Sequence, residues 1–201
     1  IVDNRTARLV GWVGNARFGD GSRNAWVDCG RAPRSPGSLL KPFAYLSAID
    51  RGSLTASTLL ADSSMAFSGR APRNFDLSYR GAVSTRVALA ESLNAPAVRV
   101  LRLAGPDRVL QLMRECGLAH LTQPATHYGD SLILGGCEVT VLEALEAYTA
   151  LASLGCHRPL SFTSSPLPPE GSRMASEAAC WIVSDILDNR SRLTTFSRET
   201  L

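Results

Sequence analysis

A single lysine, Lys41, stands in the 201-residue chain, and a serine, Ser38, lies three residues before it. On a helix, residues three apart share a face one turn from each other, which brings a hydroxyl and an amine side by side. A serine hydroxyl is a weak nucleophile at neutral pH and needs an adjacent base. A lysine amine becomes that base when burial disfavours its charged form. Any step here that needs a lysine amine must use Lys41. The bland alternative is a surface lysine in the first turn of a helix. Pro36-Gly37 before the serine and Pro42 after the lysine favour the chemical reading, since they fix a sharp entry that presents the hydroxyl at a cleft. A second group, Ser92-Leu93-Asn94, precedes Ala95-Pro96. Its hydroxyl and amide can donate and accept hydrogen bonds beside the first pair, although alone it reads more readily as a plain helix stop.

The elements that must position these groups follow from periodicity and breakers. Residues 1–4 and 8–14 read as strand, turn, strand. Residues 15–37, rich in Gly, Ser, Asn, Arg and Pro, read as an extended loop. Residues 38–51 are helical, with Leu39, Leu40, Phe43, Leu46 and Ile49 as the apolar stripe and Gly52 as the stop. Turn formers dominate 53–82. Helical patterns cover 83–93, ended by Asn94-Ala95-Pro96, then 97–103, ended by Gly105-Pro106, then 107–116, ended by Gly117. A clearer helix spans 140–154: Thr140 caps it, Glu143 completes a capping box and Gly155 closes it. Residues 159–163 read as a short strand, 164–169 as a loop and 174–187 as a last amphipathic helix. Strands, then many helices, make the class α+β, in one domain.

Composition excludes several functions. The fraction of hydrophobic residues, 45%, and of charged residues, 19%, are those of an ordinary globular protein. The net charge of +3 is spread over scattered arginines, which argues against a nucleic-acid surface. No apolar run reaches the length of a membrane span. Cys29, Cys116, Cys137, Cys156 and Cys180 are too irregularly spaced for a zinc site and read as free, partly buried thiols. His120, His127 and His157 show no ligand spacing and read as surface or loop residues. Neither a metal nor a cofactor is expected.

Taken in order, four segments resemble the penicillin-binding transpeptidases. Arg34-Ser35-Pro36-Gly37-Ser38-Leu39-Leu40-Lys41-Pro42-Phe43 is similar to their nucleophile segment. Ser92-Leu93-Asn94-Ala95-Pro96-Ala97-Val98 is similar to their second motif. The run from Ser131 through Leu134-Gly135-Gly136 to Thr140 resembles their Leu-Gly-Gly segment, and Val2-Asp3-Asn4-Arg5-Thr6 to Trp12-Val13-Gly14 their first hairpin. The likeness is greatest to class A enzymes of the penicillin-binding protein 1C kind. It implies a serine β-lactamase/transpeptidase-like fold, an antiparallel sheet with a helical subdomain. It also implies acyl transfer on peptidoglycan stem peptides ending in D-Ala-D-Ala, with β-lactams acylating the same serine. Under it Ser38 is the nucleophile, Lys41 takes its proton, Ser92 relays a proton to the leaving amine, and Asn94 holds Lys41 and the substrate amide. The parent protein would work at the periplasmic face of the inner membrane, reached only through parts outside this chain, with a glycosyltransferase domain upstream.

The family's third motif, Lys-Thr/Ser-Gly on a sheet strand, has no counterpart here. It belongs after the helix at 174–187, so residues 1–201 are expected to be a partial domain, incomplete at the C-terminus. Without the backbone N–H which that strand gives the oxyanion hole, this chain alone is expected to be a poor catalyst or none. Leu39 stands where the family more often has threonine. Two other readings share part of the pattern. One is a serine β-lactamase or DD-carboxypeptidase, which hydrolyses its acyl-enzyme; the deacylating glutamate of class A β-lactamases has no Glu-x-x-Leu-Asn counterpart after Ser92. The other is a non-catalytic wall-peptide-binding descendant, which would have no need of both polar pairs.

Overall fold

The computed structural model describes residues 1–17, 19–21, 25–64, 78–163 and 171–188. Its centre is a helix, α1 (Lys41–Asp50), whose residues from Lys41 to Ile49 are all buried. Phe43, Ala44, Tyr45, Leu46 and Ala48 have no exposed surface. A helix apolar on every side is stable only when other elements surround it. Here α3 (Asn94–Ala104), α4 (Pro106–Glu115) and α7 (Glu177–Leu187) pack against it. The remaining helices are α2 (Thr85–Ala90), the single turn α5 (Ala125–Tyr128) and α6 (Val141–Ala152).

Strands among the described residues form three antiparallel pairs: β1 (Val2–Asp3) with β2 (Arg8–Leu9), β3 (Leu59–Asp62) with β4 (Gly81–Ser84), and β5 (Cys156–His157) with β6 (Ser172–Arg173). The mixed helix-and-sheet class expected from the sequence is the one observed, and the opening hairpin lies where it was expected.

Several boundaries differ, each for an identifiable reason. Ser38 is not in an α-helix: Gly37–Leu40 is a 3₁₀ turn that leads into α1. The pattern at 83–93 begins as strand β4, and the helix starts only at Thr85, where the Ser84 hydroxyl accepts from the Val87 N–H. Asn94-Ala95-Pro96 does not break a helix but opens α3. Proline is tolerated in a first turn, where no intrahelical donor is needed. Pairing near 159–163 is limited to one bridge between Ser161 and Arg8, and the strand lies earlier, at Cys156–His157. Loop 164–169 lies outside the described residues. The capping box is present: Thr140 Oγ1 accepts from the Glu143 N–H while the Glu143 carboxylate accepts from the Thr140 N–H. All five cysteines are free, with Cys116, Cys137 and Cys180 buried. His157 lies in β5 and bonds Glu146 at 2.7 Å, which makes it part of the packing rather than a loop residue. No helix among the described residues is long and apolar enough to cross a membrane.

Candidate active site

Four helices end alike. After α1, α2, α4 and α6 the chain turns through a residue of positive φ: Gly52, Ser92, Gly117 and Leu154. At α2 the Leu93 N–H reaches the Ala88 carbonyl at 2.9 Å and the Ser92 N–H reaches that of Leu89 at 3.0 Å. That is the Schellman pattern, whose left-handed position glycine fills by default. Ser92 holds it at φ +57°. A left-handed residue with a side chain costs about 1–2 kcal/mol, and such strain collects at functional sites. Only Glu91, Ser92 and Leu93 separate α2 from α3, so Ser92 in the turn and Asn94 at the start of α3 face one point.

Lys41 occupies that point. It is the first residue of α1 and only 1% exposed. Its Nζ donates to the Ser92 carbonyl at 2.5 Å and to Asn94 Oδ1 at 2.6 Å, and lies 3.1 Å from Ser92 Oγ. Three oxygens therefore match the three donors of an ammonium. Burial pushes the Lys41 pKa down to about 8. The amine is thus poised to lose a proton near pH 8, whereas an ordinary lysine holds its own until about 10.5. In the neutral amine two hydrogens serve the Ser92 carbonyl and Asn94, and the lone pair is left for a hydroxyl.

Ser38 lies one 3₁₀ turn before Lys41 and is exposed. Residues i and i+3 of a 3₁₀ turn eclipse one another, so the same-face relation expected for an α-helix holds in this tighter form as well. Gly37, at φ +55°, makes the entry into the turn. The structure therefore brings Lys41, Ser92 and Asn94 into direct hydrogen-bond contact and sets Ser38 at the solvent edge of the same turn.

Sequence reasoning missed the braces behind Ser38. Ser35 Oγ donates to the Gly135 carbonyl at 2.8 Å, and a Cβ on Gly135 would meet Gly37 Cα at 2.8 Å. The Tyr148 hydroxyl donates to the Leu39 carbonyl at 2.8 Å. These contacts span 100 and 109 residues, and no spacing rule links positions so far apart. The one local signal was a tyrosine among the apolar residues of α6, whose hydroxyl needs a partner when buried. Among the described residues no group of His, Cys, Asp and Glu is arranged to hold a metal.

The family model described as "Penicillin binding protein transpeptidase domain" matches residues 1–195. The chain is 37% identical over 192 residues to penicillin-binding protein 1C of Escherichia coli (strain K12), covering 96% of this chain and 25% of that protein. To penicillin-binding protein 1A of Aquifex aeolicus (strain VF5) it is 35% identical over 159 residues, covering 77% and 21%. It spans about a quarter or less of the length of these relatives. The solved apo TP domain of Burkholderia pseudomallei penicillin-binding protein 3 shares the fold, with TM-score 0.77 at 20% identity, covering 92% of this chain and 59% of that one. From the family match over residues 1–195, and from its identity to these relatives, the chain belongs to the penicillin-binding protein transpeptidase domain family.

Proposed function

We propose that Ser38, Lys41, Ser92 and Asn94 form the acylation centre of a serine DD-transpeptidase that cross-links peptidoglycan stem peptides. The observation that carries this reading is the buried Lys41 amine, held by Ser92 and Asn94 with its pKa lowered. In the first step Ser38 Oγ bonds to the penultimate carbonyl carbon of a D-Ala-D-Ala terminus as its proton passes to Lys41. Ser92 Oγ, 3.1 Å from Nζ, relays that proton to the nitrogen of the departing D-alanine. An amine of a second stem peptide then attacks the ester, forms the new amide and returns the proton to Ser38. A β-lactam enters by the same first step, with its ring nitrogen as the tethered leaving group.

The wider setting belongs to the same proposal. Residues 1–201 are part of a larger domain whose Lys-Thr/Ser-Gly strand the rest of the protein contributes, which accords with the 59% coverage of a solved TP domain. The whole protein acts at the periplasmic face of the inner membrane.

The test is labelling of the full-length protein with a fluorescent penicillin, followed by mass mapping of the adduct. A stable adduct on Ser38, absent in Ser38→Ala and slowed at least a hundredfold in Lys41→Ala, supports the reading. Rapid turnover of the adduct makes the protein a hydrolase instead. An adduct on another residue, or Lys41→Ala labelling at the unmodified rate, rejects the assignment.

A further inference from the structure

We propose that Tyr148 is a positioning residue for the nucleophile: its hydroxyl holds the Leu39 carbonyl and, through it, the turn that carries Ser38. This inference rests on the assignment of Ser38 as the nucleophile.

The turn Gly37–Leu40 is short and weakly self-supported. Its ends are held by bonds from the Leu39 N–H to the Pro36 carbonyl at 3.2 Å and from the Lys41 N–H to the Ser38 carbonyl. Hydrogen-bond geometry in 3₁₀ turns is poorer than in an α-helix, which leaves the orientation of the Ser38 peptide softer than that of a residue inside α1. Outside contacts supply the stiffness, one on each side of the serine. On the Gly37 side stands the backbone of Gly135, at φ +94° and close enough that a methyl group would strike Gly37 Cα and N. On the Leu39 side stands the Tyr148 hydroxyl, 2.8 Å from the carbonyl of the residue after the nucleophile.

Tyr148 is built to hold one direction. Its ring meets Phe43 edge-on, with centroids 5.7 Å apart and planes at 90°. Phe43 is fully buried in α1, one helical turn beyond Leu39, so the tyrosine ring lies along the stretch it braces. At its backbone end Tyr148 is fixed in α6, behind the capping box of Thr140 and Glu143. Partial burial raises the phenol pKa to about 12, so the group remains a donor wherever the lysine can act as a base.

Ser38 and Lys41 are therefore anchored separately. The amine is fixed by the α2–α3 junction through Ser92 and Asn94, and the hydroxyl by the segment from Gly135 to Tyr148. Their mutual distance depends on both anchors, and small misplacements of reacting groups cost rate steeply.

The experiment compares the unmodified full-length protein, Tyr148→Phe, and a packing control, Val109→Ala, at a buried site in α4. Stopped-flow with a fluorescent penicillin separates the acylation rate constant at saturation from the dissociation constant of the non-covalent complex. A thermal melt is recorded for each protein. The expected result for Tyr148→Phe is acylation about three- to tenfold slower, as for loss of one net hydrogen bond, with an unchanged dissociation constant. Val109→Ala is expected to lower the melting temperature and leave the acylation rate alone. Tyr148→Phe acylating at the unmodified rate overturns the proposal. So does an equal slowing in Val109→Ala, which would trace the effect to general destabilisation. An unmodified protein that never labels at Ser38 overturns the nucleophile assignment first and this inference with it.

Discussion

Burial of the Lys41 amine sets how the site responds to pH. A folded-state pKa of about 8 lies below the 10.5 of a solvated lysine, so between these values the folded chain binds fewer protons than the unfolded one. This group therefore makes stability rise with pH from about 8 to 10.5 and contributes no slope below 8. Keeping the ammonium buried below pH 8 costs about 3 kcal/mol. The expected kinetic consequence is an acylation rate that climbs with a midpoint near pH 8 and then levels off. A penicillin-labelling profile that stays flat from pH 6 to 10 would remove Lys41 from the role of base. The charge balance also shows why Asn94, rather than an aspartate, suits this position. A carboxylate there would hold the ammonium as an ion pair and raise its pKa.

At the scale of elements, the nucleophile turn and the Leu-Gly-Gly segment form one joint. The Arg34 and Val139 peptides exchange hydrogen bonds at 2.9 and 3.0 Å, which runs the two segments alongside each other up to Gly135. Replacing Gly135 with alanine puts a methyl group against the Gly37 backbone and a side chain at φ +94°. The expected cost is about 3 kcal/mol in urea unfolding, together with slower acylation. A stability within 1 kcal/mol of the unmodified protein would mean that the joint yields. This joint also marks how far the sequence could be read. The helix at Thr140, its capping box and the glycine after α1 were legible because local rules govern them. So was the Ser38–Lys41 pair, since three residues separate the partners. The start of α3 was misread because Asn-Ala-Pro opens a helix as well as it ends one. The 3₁₀ entry was misread because the same apolar stripe fits either helix. Hairpin β3–β4 was missed because its strands are 18 or more residues apart and four residues long, too short for alternation to show. Why Gly135 must be glycine appears only when Gly37 is seen against it.

For the whole molecule, α1 is the element around which α2, α3, α4 and α7 pack. Its Tyr45 hydroxyl is buried with no hydrogen-bond partner among the described residues. An unpaired buried hydroxyl costs about 1–3 kcal/mol. Tyr45→Phe keeps the ring and removes that cost, so it is expected to raise the unfolding free energy by about 1 kcal/mol at unchanged m-value. A loss of stability would reveal a partner for the hydroxyl. Because α1 also carries Lys41, core packing and chemistry share one helix.

Ser38 and Lys41 are sequence neighbours, but the oxygens that complete the lysine's surroundings come from positions 51 and 53 residues away. A chain with its helices formed but α1 not yet docked on α3 would own a serine and a fully protonated, solvated lysine. Penicillin incorporation during refolding would therefore lag behind the appearance of helical signal and keep pace with core assembly. In that use the antibiotic acts as a clock, leaving a covalent mark on each molecule at the moment its central helix finds its place.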